Sequence, residues 1–194
     1  MTPDGTKVYD LHVNKPEYRS YRLRTLYEGV SDALAGAPHT VESVVLNDGS
    51  AQRSMVNQIA VTFDGAAVLD PGAIELRRQD GSLLDAQFSS SLVNGKTVAA
   101  ITFAGAEFFG GSLADGSYTL TVLADRVHDR WGREIDRDGS LGGDRVGEFF
   151  RLFGDSDGDV DRLDRDAFRS AIGRRAGEAG YLWYFDFDGD GATD

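Results

Sequence analysis

The sequence predicts a mainly β protein, an antiparallel β-sandwich followed by a small α-helical segment that carries two acidic loops. Three observations lead there. Between Thr40 and Phe153 short alternating apolar runs are separated by Asp-Gly and Asn-Gly dipeptides, and a helical period is missing. Beyond Phe153 the pattern becomes helical, between Asp155-Ser156-Asp157-Gly158-Asp159 and Asp186-Phe187-Asp188-Gly189-Asp190-Gly191. Finally, 41% hydrophobic residues in 194 is enough for a real core despite a net charge of −12.

The first 38 residues read as the tail of an upstream β domain or a linker. Thr6–Val13 alternates, with Tyr9, Leu11 and Val13 on one face, and Tyr18–Tyr27 is a second strand-like run. The opening Pro3-Asp4-Gly5-Thr6-Lys7-Val8-Tyr9 resembles strand openings of bacterial β-propeller repeats. Asp32–His39, with Gly36 and Pro38, reads as linker. Residues 39–153 hold about seven strands in roughly 110 residues, the density of a sandwich. Val41–Asn47 comes first, then Gln58–Asp64 with Ile59, Val61 and Phe63 on one face, then Ala73–Arg78. Asp80-Gly81 turns the chain into Ser82–Ser89. Asn94-Gly95 joins Ser90–Val93 to Lys96–Phe103, and Asn-Gly between apolar strands is a strong hairpin signal. Ser117–Ala124 alternates through Tyr118, Leu120 and Val122, and Arg145–Phe153 closes the set.

These runs, taken together, look familiar. Ile59–Asp64, Leu69–Leu76, Gly95–Val98 and Leu113–Val122 follow one another as in bacterial immunoglobulin-like domains, which the segment resembles. Asp125–Gly132 looks like the last edge segment of that family, with Trp131 and Arg133 in place of its usual small and Asn residues. The resemblance covers about residues 40–153 and implies an immunoglobulin-like sandwich of a large secreted or surface protein.

Residues 154–194 form the third segment. Asp164 or Asp166 is expected to cap a helix that places Phe168, Ala171, Ile172 and Arg175 on one face. Carboxylates on alternate residues with glycine between them suit a tight loop around a hard cation. Without one, each pair of neighbouring carboxylates repels by roughly 1 kcal/mol in water, and by more if shielded. Asp155 and Asp157 recur 31 residues on as Asp186 and Asp188. Two helix-flanked Asp loops at this distance resemble the duplicated calcium segments of type I dockerins, and the whole arrangement resembles the C-terminal ends of secreted planctomycete-type proteins.

The first loop has two readings. With Asp155 at position 1 of a twelve-residue EF-hand-type loop, Asp157, Asp159, Asp161 and Asp166 fall at 3, 5, 7 and 12, and Val160 occupies the position where glycine is wanted. Alternatively Val160 takes the apolar position and Asp164 closes a loop two residues shorter than the dockerin pattern. The second is preferred, because it leads to Phe168 at the family's spacing. Both readings use Asp155, Asp157 and Asp159. In the second loop Asp186, Asp188 and Asp190 take positions 1, 3 and 5 and the Ala192 carbonyl position 7, with the closing carboxylate expected beyond Asp194. Several oxygen ligands favour Ca²⁺ over Mg²⁺, and the lack of cysteine and of paired histidines argues against zinc. Asp136, Asp138 and Asp144 read as a solvated turn rather than a third calcium site.

A net charge of −12 argues against nucleic acid or anionic membrane as partner. No apolar run approaches the ~18 residues of a membrane span, and Met1–Gly5 lacks the features of a signal peptide. Both ends look like cuts, so the chain reads as a fragment. His12, His39 and His128 are scattered, and His-Glu-x-x-His, Gly-x-Ser-x-Gly and phosphate-loop motifs are missing. Gly110–Ala114 grazes the nucleophile-elbow pattern without the helix that should follow. Tyr18, Tyr21 and Tyr27 read as strand packing rather than a sugar platform. The expectation is a monomeric, non-catalytic, calcium-binding structural, adhesion or docking region, extracellular or at the cell surface. A cohesin-like or other protein would dock on the helix carrying Phe168 and Ile172. The alternative is the accessory tail of a secreted polysaccharide-degrading hydrolase whose catalytic domain lies upstream, with polysaccharide as partner.

Overall fold

The computed structural model describes residues 39–105, 108–135 and 143–193. The strands expected before His39, the tyrosines among them and Asp136 and Asp138 lie outside the described residues, as does Asp194. The described part is mainly β, and all its sheets are antiparallel. One sheet has the order β1 (Val41–Leu46), β2 (Gln58–Phe63), β6 (Lys96–Thr102), β5 (Gln87–Val93). A second has the order β4 (Ile74–Arg78), β7 (Gly116–Val122), β9 (Arg145–Arg151). Two three-residue strands, β3 (Ala67–Leu69) and β8 (Val127–Asp129), pair at the side.

Period-two patterning explains which strands sit centrally. Ile59, Val61 and Phe63 of β2 are completely buried, while the residues between them are less so. In β7 the inward set is Tyr118, Leu120 and Val122, and in β4 Ile74 and Leu76. These residues, with Ala99 and Ile101 of β6, make one core to which both larger sheets contribute, a sandwich arrangement. Each large apolar side chain buried there contributes about 1.5–3 kcal/mol. Tyr118 keeps its hydroxyl satisfied by donating to the Ala114 carbonyl at 2.6 Å, and its ring stacks on Phe149 of β9 at 5.5 Å.

The hairpin at Asn94-Gly95 forms as expected. Both residues have positive φ (51° and 82°), the condition for the two-residue turn that matches strand twist. The two runs expected at Ser82–Ser89 and Ser90–Val93 form differently. A single strand spans Gln87–Val93, and residues 82–86 make only an isolated bridge, Arg77 to Leu83. The Asp80-Gly81 turn spends its pairing at once, with Ser82 N–H held by the Asp80 carboxylate and Leu84 N–H by the Leu76 carbonyl.

The terminal segment contains the one α-helix among the described residues, α1 (Arg162–Ala171). Its N-cap is Asp161, in place of the Asp164 or Asp166 expected from sequence. Asp161 accepts from Leu163 N–H at 2.6 Å, and Asp164, at the third helical position, accepts from Asp161 N–H at 2.7 Å. The Asp161 side chain also accepts from the Asp164 N–H, so the two aspartates bond reciprocally in a capping box. Phe168 and Ala171 share the face expected for them, which the earlier start extends back to Asp164 and Ala167; Asp164 and Ala171 are buried, and Arg175 falls beyond the helix and is exposed. Ile172, expected on the same face as Phe168, is the C-cap and is exposed.

Candidate metal centre

The first acidic loop begins where β9 stops. Arg151, the last residue of β9, is buried; its guanidinium donates to the Asp115 carboxylate and lies 3.3 Å from the Met55 sulfur. Asp115 also takes the Phe153 N–H at 2.8 Å. Gly154, at φ 101°, then turns the chain into the loop, a conformation that a side chain would strain. The β1–β2 connection receives it from the other side. There Arg53 and Ser54 both donate their N–H groups to the Asp155 carbonyl, at 3.1 and 2.9 Å. The Ser54 hydroxyl accepts Gly154 N–H at 2.9 Å, and Leu152 N–H donates to the Arg53 carbonyl at 3.0 Å.

Asp155 is completely buried by this arrangement. One carboxylate oxygen, Oδ1, accepts from Asp157 N–H at 3.1 Å and Gly158 N–H at 2.6 Å. The other, Oδ2, is buried with no hydrogen-bond partner. A buried carboxylate oxygen without a donor costs on the order of 1–3 kcal/mol or more, unless a cation satisfies it. Asp155, Asp157 and Asp164 each bring an oxygen into one group whose members lie within 4.8 Å of one another. Calcium–oxygen distances of about 2.4 Å place two ligands of one ion up to ~4.8 Å apart, so the spacing fits a shared calcium ion. Asp159, Asp161 and Asp164 make a second group with the same spacing. Asp164 therefore belongs to both.

Electrostatics and hydrogen bonding divide these acids. Burial opposes the charge on Asp164, but bonds from the Ser156 hydroxyl (2.6 Å), Asp161 N–H and Ser156 N–H (2.6 Å) outweigh it and lower its pKa. Asp159 is exposed and its pKa is raised, chiefly by the charges of Asp161 and Asp157. A divalent ion would relieve that crowding. Asp166 lies apart on the exposed side of α1, where it faces Arg162 and Arg165 at 3.6 and 3.3 Å. It belongs to neither group, whereas Asp164 joins Asp155 and Asp157.

The second loop is organised differently. Asp186, Asp188 and Asp190 bring oxygens within 4.8 Å of one another, and Asp186 is buried. Here the buried carboxylate is fully engaged. Its Oδ1 takes Gly189 N–H at 2.9 Å, and its Oδ2 takes Gly191 N–H at 2.9 Å and the Tyr181 hydroxyl at 2.7 Å. Asp188 and Asp190 accept from the N–H groups two residues on, Asp190 and Ala192. Ala192 bridges to Arg175 through flanking bonds, Ala176 N–H to the Gly191 carbonyl and Thr193 N–H to the Arg174 carbonyl. The Ala192 carbonyl takes no part in those bonds. Burial, the bond to Asp186 and the charges of Asp186 and Asp190 push the Tyr181 hydroxyl up to about 12.

This loop also leans on the sandwich. Phe187 stacks on Phe109 at 5.6 Å and meets Phe153 edge-on at 5.1 Å. Gly110, at φ 56°, comes so close that a β-carbon there would lie 2.7 Å from the Phe187 carbonyl. The two loops are further joined through the core of the segment, where Phe168 of α1 packs edge-on against the completely buried Phe185.

Several residues of this site carry no ligand signature in the sequence: Ser156 on Asp164, Tyr181 on Asp186, and Arg53 and Ser54 on Asp155. Asp144 of the third acidic cluster accepts Ala124 N–H at 2.9 Å, a turn-bracing role. In comparisons with known proteins, no family model and no curated protein matches the chain.

Proposed function

We propose that the chain is a non-catalytic calcium-binding region, in which an immunoglobulin-like sandwich is braced by a dockerin-like segment whose first loop, Asp155 to Asp164, holds Ca²⁺. The observation that carries this is Asp155. Its carboxylate is completely buried, one oxygen lacks any partner, and oxygens of Asp157 and Asp164 lie within 4.8 Å. A cation supplies what that oxygen lacks and offsets the charge around it. The donors are all oxygens, which suits calcium. The second loop, whose buried Asp186 is already satisfied by three donors, is the weaker site.

In this reading calcium acts by linkage. It binds the folded loop and not the unfolded chain, so at 100 times its dissociation constant it adds about 2.7 kcal/mol of stability. The role that follows is structural: a spacer, adhesion or docking region of a secreted or cell-surface protein, where calcium is plentiful. A partner protein would meet the two ends of α1, where Leu163 in the first turn and the C-cap Ile172 are exposed, whereas Phe168 is engaged with Phe185. Melting the protein in calcium and in EGTA tests the reading. A transition that rises with calcium supports it; identical melting in both rejects it.

A further inference from the structure

We propose that the cation in the first loop is also the clasp that fixes the β1–β2 connection, so that loading the loop and ordering residues 51–56 are one equilibrium. The inference rests on the calcium reading above and adds a destination for the binding energy. Asp155 faces two ways. Its side chain belongs to the ligand group with Asp157 and Asp164, while its carbonyl takes both Arg53 N–H and Ser54 N–H. The neighbouring bonds, Gly154 N–H to the Ser54 hydroxyl and Leu152 N–H to the Arg53 carbonyl, complete a four-bond seam between stretches about a hundred residues apart.

The receiving side is itself poised for such control. Gln52, Ser54, Met55 and Val56 are almost fully buried although they lie outside any strand. Part of their order is internal, through Gln52 to both Met55 backbone groups and Asn47 to the Met55 carbonyl. The outer donors of the stretch, Arg53 N–H and Ser54 N–H, are satisfied by Asp155. Emptying the loop leaves three crowded carboxylates, and the relief available to Asp155 is to move outward. Its carbonyl moves with its side chain, which strips both donors of their acceptor. Loading reverses this, and reciprocity requires the seam to strengthen ion binding by the factor by which the ion strengthens the seam.

The experiment combines ion binding with hydrogen exchange on the full chain. Calcium uptake is measured by titration calorimetry, and amide exchange is followed without calcium and at 100 times the measured dissociation constant. The amides of Arg53 and Ser54 are expected to slow about 100-fold. Ser54→Ala touches no loop carboxylate, yet it removes the acceptor of Gly154 N–H and is expected to weaken calcium binding about tenfold. If calcium binds but the two amides exchange unchanged, or if S54A binds calcium as tightly as the parent, the clasp is wrong and the calcium reading stands. If no calcium binds at millimolar concentration, the calcium reading falls and the clasp falls with it.

Discussion

Replacing Asp155 by asparagine changes one charge and almost no volume, and its effect on stability should reverse sign with calcium. Asp155, Asp157 and Asp164 bring oxygens within 4.8 Å of one another, and without an ion their repulsion is what drives Asp155 outward. A pair of charges at that distance repels by about 1 kcal/mol through water and by about 3.5 kcal/mol at an effective dielectric of 20. The exposed Asp157 belongs near the lower figure, and the buried Asp164 between the two. The asparagine carbonyl can still accept from Asp157 N–H and Gly158 N–H, and its amide gives the partnerless oxygen position a donor facing the other carboxylates. Net of hydrogen bonds weakened by loss of charge, D155N should stabilise the calcium-free protein by about 1 kcal/mol, or roughly 2–4 °C in Tm. In saturating calcium the parent gains about 2.7 kcal/mol that the variant lacks, so there the variant melts lower by several degrees. Scanning calorimetry of both proteins, with calcium and with EGTA, gives four transitions. Equal displacement of the variant in both buffers would instead make Asp155 a structural acid indifferent to the ion.

Other outcomes follow from the same geometry. Asp164→Ala removes half of the capping box and the acceptor of both Ser156 bonds, and should cost about 2–3 kcal/mol in urea unfolding followed by helical circular dichroism. Because the folded pKa of Asp164 is depressed, its contribution is complete above the ordinary carboxylate pKa and is lost as pH falls through the lower folded value. An acid titration should therefore lose part of its steepness below pH ~4 in the variant. Ultraviolet titration should find a tyrosine near 12, and Tyr181→Phe should remove it. As the folded pKa is raised, the stability Tyr181 contributes is present below the ordinary tyrosine value and disappears as pH rises towards 12. Gly110→Ala forces a β-carbon to within 2.7 Å of the Phe187 carbonyl at a positive φ, which should cost about 2 kcal/mol and loosen the second loop while calcium affinity at the first is kept.

Much of the sandwich was readable because its signals are local. Ile59, Val61 and Phe63 alternate, and Asn94-Gly95 demands its turn. The short strands β3 and β8 were harder, since three residues cannot display a period. Ser82–Ser89 misled because Leu83, Leu84, Ala86 and Phe88 supply apolar positions without indicating where pairing begins. The helix cap was ambiguous for a chemical reason: Asp161, Asp164 and Asp166 are all competent caps, and the choice falls to the one whose partner three residues on can reach back. That choice also separates Asp164, inside the ligand group, from Asp166, which faces two arginines on the surface. What the sequence could not reveal is the surroundings of Asp155. Ser54 and Gly154 lie a hundred residues apart, and only the folded chain makes them neighbours.

The proposed ion would sit between Asp155, Asp157 and Asp164. A crystal grown in calcium and measured for anomalous scattering tests it most directly. The expected result is a peak with the Asp155 Oδ2 atom and oxygens of Asp157 and Asp164 at about 2.3–2.6 Å. A well-ordered loop without such a peak, its Asp155 oxygen met by water or by a protein donor, would contradict it.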